Sequence, residues 1–348
     1  MTNYTKLDTQ RPWNLIRRCP AYLPTPIQEV ITPAGLRILV KDETDRFNLG
    51  AFKALGGIYA VAAFLLDQWQ TENMSAMDPN KLFEAETQSW SKQFTFVCAS
   101  AGNHGVAVAK GAQLFNGKCR VYLANSVPEP FAIKLRDLGA EVVRSGETYE
   151  DSMAAAREAC RNEISSDILL ADSSWPGYTI MPTLVMEGYT VLAQELRRRF
   201  QESNDWPSHV FLQAGVGGLA AAIAYHIRQH WHRQPQIIVV EPDAAPCLFE
   251  STRLGRLTTV KGPISSMGRL DCKEPSLLAF EVLQKTADKF VCISDAEAAD
   301  AVSLLAENAI QTTPSGAAGM AAILKAGQLE ISIADSSTCL AIATEGPV

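Results

Sequence analysis

Three short stretches of the sequence hold residue types that can do chemistry together. The run GVGGLA at 215–220 follows the strand-like HVFLQA and opens an alanine-rich segment. Gly215, Gly217 and Gly218 let backbone amides approach an anion at a helix start, where unpaired N–H groups and the helix dipole favour negative charge. The loop reads as a phosphate cradle without saying whose phosphate it holds. With Glu241 closing the run IIVVE, its spacing also fits the dinucleotide fingerprint of an NAD-binding Rossmann unit, and a glycine turn that only packs helix on strand is the plain alternative. Far upstream, KDETDRFNLGAFKALGG at 41–57 places Lys53 after an Ala-Phe pair, at the entrance to the amphipathic stretch IYAVAAFLLDQW. A solvated lysine is the ordinary reading of such a residue. Between them, SAGNHG (Ser100 to Gly105) ends the strand FTFVCA, and its small residues again expose amides at a helix start, which suits a carboxylate. A phosphate site, a carboxylate clamp and one lysine are thus available to a single site.

The elements that must position these groups show in the alternation of short β-branched runs with longer helix-like segments. FTFVCAS, CRVYLA and AEVVRSG are followed by GVAVAKGAQLF, PFAIKLRDLG and YEDSMAAAREAC, and a second set runs from HVFLQA through QIIVVEP to CLAIATEG. This βαβ pattern predicts an α/β fold with two parallel sheets flanked by helices. Residues 68–93, polar and broken by Pro79, read as a connection between lobes. No repeat of 20–50 residues is evident.

Composition narrows the class. A chain of 348 residues with 47% hydrophobic and 20% charged residues predicts an ordinary globular protein of two compact lobes. Its net charge of −7 and the absence of a long Lys/Arg run argue against nucleic acid or an anionic membrane as partner. Eight scattered cysteines without a C-x-x-C pair read as reduced, mostly buried thiols. The polar start MTNYTKLDTQRPWN and the lack of a long apolar run make the cytoplasm the expected compartment. His226 and His230 share a predicted helix face near His232, but no HExxH or carboxylate accompanies them; a polar surface patch is expected and no metal site.

The blocks AFKALGG, SAGNHG and QAGVGGLA, in this order, resemble the fold-type-II pyridoxal 5′-phosphate (PLP) enzymes, the group of threonine dehydratase, serine racemase and cysteine synthase. LADSSWPGYTIMPTLVMEGYTVLAQEL (170–196), EPD (241–243), CKEPS (272–276), SGAAG and ATEG are more specifically similar to the diaminopropionate ammonia-lyase family, over about Lys41 to Gly346. The resemblance implies a two-lobed, tryptophan synthase β-like fold, with residues 1–70 and 180–348 forming a large PLP-binding domain and 90–180 a small one carrying SAGNHG. It implies Lys53 as Schiff-base lysine and acid/base at Cα, with a pKa lowered by desolvation. Phe52 would pack against the ring, Asn103 bond the pyridine hydroxyl, and Thr344 in ATEG face the pyridine nitrogen. Amides of Gly215, Val216, Gly217, Gly218 and Leu219 would surround the phosphate. Ser100, Ala101, Gly102 and His104 would hold the substrate, with Ser315 and Gly316 lining the far side.

Asp172 would serve the leaving group, against the alternative of a helix N-cap in Asp172-Ser173-Ser174. The implied activity is α,β-elimination from a small β-substituted amino acid, with 2,3-diaminopropionate yielding pyruvate and ammonia, by a homodimer. A serine/threonine-type dehydratase, an NAD-binding protein and a PLP-binding relative without turnover are the alternatives. One departure stands out: the family has DGNHG where this chain has AGNHG, so the aspartate assigned to the D-isomer is replaced by Ala101. The L-isomer is therefore the expected substrate.

Overall fold

The β-branched runs form ten strands and the segments between them twelve helices in a computed structural model that describes residues 5–32, 34–161, 166–334 and 336–347. In chain order the strands are β1 Ile27–Ile31, β2 Arg37–Asp42, β3 Thr95–Ala99, β4 Lys118–Leu123, β5 Glu141–Arg144, β6 Asp167–Leu169, β7 His209–Gln213, β8 Gln236–Pro242, β9 Lys289–Ile293 and β10 Thr338–Ala343. The helices are α1 Gln10–Ile16, α2 Lys53–Asn73, α3 Ala85–Ser91, α4 Asn103–Leu114, α5 Glu129–Asp137, α6 Tyr149–Ala159, α7 Ile180–Ser203, α8 Gly218–His230, α9 Cys247–Leu254, α10 Leu277–Thr286, α11 Asp295–Glu307 and α12 Pro314–Leu324.

Two sheets result. One has six strands in the order β1-β2-β10-β7-β8-β9, parallel except for the antiparallel edge pair β1–β2; the other has four parallel strands in the order β5-β4-β3-β6. Central strands of the larger sheet are buried on both faces, as parallel strands covered by helices must be. Along β8, Ile237 and Val239 join one core while Ile238 and Val240 join the other, and along β10 Leu340 and Ile342 alternate in the same way with Cys339 and Ala341. That period of two puts side chains of one strand into both layers.

Helix α2 packs against α4 and α7 and is buried on nearly every side from Ala54 to Ala63, so the expected amphipathic stripe gives way to an all-round apolar helix. It can run there because Gly57 has no side chain: a Cβ at that position would stand 2.6 Å from the Ala107 backbone of α4. Residues 68–93 are more ordered than the reading of a connection implied. They comprise the end of α2, a 3₁₀ turn at Pro79–Phe83 and α3, because Asp78 accepts from the Asn80 amide and Pro79 starts the turn. All eight cysteines are free thiols, five of them buried. His226 is buried too, its Nε2 3.0 Å from Gln194 Oε1, with burial pushing its pKa down to about 3, so the expected surface patch is in part interior. No helix among the described residues is long and apolar enough to cross a membrane.

Candidate active site

The chemistry-bearing loops lie at the carboxyl ends of strands from both sheets, the usual place for ligands in parallel α/β structures. SAGNHG follows β3, Asp172 follows β6, the glycine loop follows β7 and Thr344-Glu345 follow β10. Lys53 is the first residue of α2. Its approach is set by pairing of segments nearly 300 residues apart: Ala51 bridges Glu345, the Phe52 amide donates to Thr344 O (3.1 Å), and the Gly346 amide donates to Gly50 O (2.9 Å).

Lys53 Nζ donates to Asp172 Oδ2 in a direct ion pair, the two side chains being 23% and 20% exposed. Burial pushes the Lys53 ammonium down, but the charge of Asp172 more than offsets this and holds its pKa above the ordinary lysine range. The desolvated, lowered lysine anticipated from sequence is thus replaced by a charged one. Burial likewise pushes the Asp172 carboxyl up, and Lys53 and then His104 overcome it and hold it below the carboxylate range. Asp172 caps no helix, since α7 starts only after Thr179. Phe52 and Tyr189 flank the lysine, with ring centroids 5.4 and 5.9 Å from Nζ and 4.9 Å from each other.

In SAGNHG, Ser100 Oγ accepts from the amides of Gly102 (3.2 Å) and Gly105 (3.0 Å), which folds the loop over the start of α4. Asn103 Nδ2 donates to Glu345 Oε2. His104 is only 4% exposed, and its Nε2 lies 2.8 Å from Leu170 O; it sits behind the loop, beside Asp172, and not on a surface a substrate can touch. Ala101 stays at the loop's partly buried edge.

The glycine loop turns into α8 through Gly217 at φ 98°, a left-handed conformation that residues with a Cβ rarely adopt. As the first amides of a helix, those of Gly218 and Leu219 have no intrahelical acceptor. The Val216 carbonyl accepts from the Ser276 amide (3.0 Å), anchoring the loop to α10. The buried Tyr189 ring stands beside it, with its hydroxyl toward Lys53. A ring edge of Tyr189 lies 3.8 Å from where a Cβ at Gly218 would be. Open amides at the head of a helix fit an anionic group, which this loop would hold. With Lys53 for a covalent bond and Asn103 for a polar ring substituent, the residues present fit a phosphorylated aldehyde.

Ser315 and Thr344 face inward but are already engaged. Ser315 Oγ accepts from the Arg269 amide (3.0 Å), and Thr344 Oγ1 is 3.4 Å from Gln213 Nε2. Gly316 packs against Thr312 and the Glu345 backbone. Glu345 was missed in sequence, although it stands inside the ATEG motif. Its Oε1 accepts from Thr313 Oγ1 (2.6 Å), and burial pushes its pKa up, offset in part by Thr313 and Arg269. Tyr189 lies within the quoted MEGYT run, but its closeness to Lys53 has no local signal. Arg269 had no motif at all.

Glu241 decides against the dinucleotide reading. Its buried carboxylate accepts from the amides of Leu248 (2.8 Å) and Phe249 (2.6 Å) at the start of α9, so no ribose can reach it. Residues 19–345 match the family model described as "Pyridoxal-phosphate dependent enzyme". The chain belongs to the pyridoxal-phosphate dependent enzymes. Among its relatives in this family, the diaminopropionate ammonia-lyase of Escherichia coli strain K12 is 32% identical over 289 residues, covering 81% of this chain and 71% of that protein. The diaminopropionate ammonia-lyase of Salmonella typhimurium strain LT2 is 33% identical over 299 residues, covering 83% and 73%. The crystal structure of the E. coli enzyme in complex with D-serine superposes with a TM-score of 0.85 at 29% identity, covering 99% of this chain and 91% of that one. PLP is the cofactor of this family, and the expectation of a PLP enzyme of α/β fold is borne out.

Proposed function

We propose that this chain eliminates the β-substituent of a small amino acid, with L-2,3-diaminopropionate as leading substrate, to yield pyruvate and ammonia. The Lys53–Asp172 ion pair carries the reading, since it sets an acid/base pair beside the loops that would hold phosphate and carboxylate. Kinship to two diaminopropionate ammonia-lyases over most of the chain supports the substrate.

PLP, when bound, would draw electron density from the Cα of an attached amino acid and so acidify its proton. The amides of Gly215, Val216, Gly217, Gly218 and Leu219 would hold its phosphate, with Phe52 against the ring, Asn103 on the ring hydroxyl and Thr344 toward the ring nitrogen. Lys53 must be neutral to join an aldehyde, and Asp172 is the group placed to take its proton. Lys53 then removes the Cα proton from the face it occupies. Asp172 supports a proton on the departing β-nitrogen, which leaves with the Cβ–N bonding pair as ammonia. The SAGNHG loop would hold the α-carboxylate. The released 2-aminoacrylate takes up water and yields pyruvate and a second ammonia.

Residues 1–70 and 180–348 serve in this reading as the PLP-binding domain and 90–180 as the small domain, in a cytoplasmic homodimer. Ala101 favours a second reading, a serine/threonine-type dehydratase, because the aspartate of the ammonia-lyase pattern is missing there. A coupled 2-oxo acid and ammonia assay across L- and D-2,3-diaminopropionate, L-serine and L-threonine tests both. Ammonia and pyruvate in a 2:1 ratio from the L-diamine is the expected result; equal amounts of 2-oxo acid and ammonia from L-serine or L-threonine, with none from the diamine, would replace the first reading by the second.

A further inference from the structure

Arg269 lies on the segment 262–273, which is held firmly. Lys273 Nζ donates to Ala244 O (2.9 Å) and Pro263 O (2.8 Å), while Asp295 accepts from Ser265 Oγ (2.6 Å) and the Ser266 amide (2.8 Å). The segment rests on the glycine loop: a Cβ at Gly215 would come within 3.1 Å of Arg269 O. From there the side chain crosses to the other sheet's loop. Nη1 donates to Ala101 O (3.0 Å) and lies 2.9 Å from where a Cβ at Gly102 would stand. Nε is 3.9 Å from Glu345 Oε2, and among the described residues the guanidinium makes no other side-chain hydrogen bond.

A guanidinium has five N–H donors in a planar fork that matches a carboxylate. At 36% exposure, this one stands over the SAGNHG amides with donors to spare. Lys53 is already engaged by Asp172, so Glu345 is left to bring negative charge to the loop, and a substrate carboxylate entering there meets repulsion unless a further cation accompanies it. A positive group at the clamp therefore has an electrostatic task that amides alone perform poorly.

We infer that Arg269 binds the α-carboxylate of the substrate and selects α-amino carboxylates over uncharged amides. The inference rests on the reading of this site as an amino-acid site. A mere strut under the Ala101 carbonyl would stabilise the loop without telling a carboxylate from an amide.

The test uses PLP-loaded enzyme with two ligands that have no β-leaving group, L-alanine and L-alaninamide. Their affinities are read from the change in the cofactor's visible absorbance, in wild type, Arg269→Met and Arg269→Lys. A charge-assisted pair contributes about 1.5–3 kcal/mol, so the preference for alanine over alaninamide should fall about tenfold or more in Arg269→Met. In Arg269→Lys, which keeps the charge and loses the fork, it should fall by a smaller but clear factor. KM for an eliminated substrate should rise in parallel while kcat changes little. An unchanged preference in Arg269→Met overturns the inference, and if that variant fails to fold or load, an unchanged preference in Arg269→Lys does so. Because alanine is not eliminated, loss of diaminopropionate activity alone would sink the proposed function and leave this measurement standing.

Discussion

The cations of two sets of paired charges, Lys41 with Arg46 and Lys53, lie twelve residues or fewer apart in the chain and are built to opposite ends. Lys41 and Arg46 are buried with Glu43 and Glu195, at 1%, 0%, 0% and 4% side-chain exposure. Lys41 Nζ donates to Glu195 Oε2 (2.6 Å) and Thr25 O (2.6 Å). The Arg46 guanidinium reaches Glu43, Glu195, Leu23 O and Thr25 Oγ1. Two positive and two negative charges cancel, and the donors are used. Lys53, by contrast, has a single carboxylate partner, and both of its pair remain a fifth or more exposed. Saturated charges are immobile and join β2 to α7; a pair with one contact and an open side can exchange its proton and its partner. The difference shows that a buried lysine becomes a reactive one by what is left unsatisfied around it.

The comparison breaks most sharply at Lys53. Lys53→Ala should lose covalent retention of the cofactor and lower turnover by about 10⁴-fold or more, as both the covalent bond and the Cα base go. The unfolding temperature of the apo-protein should hardly change. A variant that kept substantial turnover would mean that another base works at Cα.

At the saturated cluster the opposite split is expected. Glu195→Gln strips Lys41 and Arg46 of a shared carboxylate and should destabilise by about 3–5 kcal/mol, the usual cost of leaving a buried charge unpaired. Urea unfolding at neutral pH measures it. A midpoint equal to wild type would show that the cluster is not what holds β2 to α7.

Asp172→Asn and the choice of isomer sharpen the open side of the comparison. The amide cannot take a proton, so turnover of an amine-leaving substrate should fall by about 10²-fold with the fold intact. Parallel loss of stability and activity would make Asp172 structural. Lys53 serves one face of Cα, and the Ala101 methyl offers no base to the other. D-2,3-diaminopropionate should therefore trail the L-isomer by at least about 10²-fold in kcat/KM, and Ala101→Asp should narrow the gap. Similar values for the two isomers would require a base on the D face.

The smallest effect is expected at a buried carboxyl that has no cation. Burial pushes Glu241 from the ordinary 4.5 up to about 7, although two amides donate to it. The folded chain then holds this proton more tightly than the unfolded chain. Its stabilising contribution is complete below about pH 4.5 and is lost as pH rises through about 7, at up to about 1.4 kcal/mol per pH unit in between. Glu241→Gln, which cannot ionise, should flatten the fall in unfolding temperature between pH 5 and 8. An unaltered slope would assign the pH dependence to other groups.

Much of this molecule was legible along the chain because the causes are local. A period-two apolar run forms a strand wherever it is covered, and a glycine-rich turn before an apolar helix presents amides to an anion whatever surrounds it. The strands, the two sheets, the glycine loop and the lysine at the head of α2 follow from such short-range rules. A match of ordered motifs then pointed to the cofactor. What tertiary structure alone decided is who stands next to whom. Pairing of 50–52 with 344–346 sets Lys53 beside Glu345, Tyr189 of α7 closes on the glycine loop, and Arg269 crosses from one sheet's loops to the other's. It also decided that Lys53 is charged, since desolvation, which sequence could suggest, pulls one way and the carboxylate of Asp172, 119 residues away, pulls harder the other way. Burial and charge proximity depend on three-dimensional distance, and sequence separation carries no record of it.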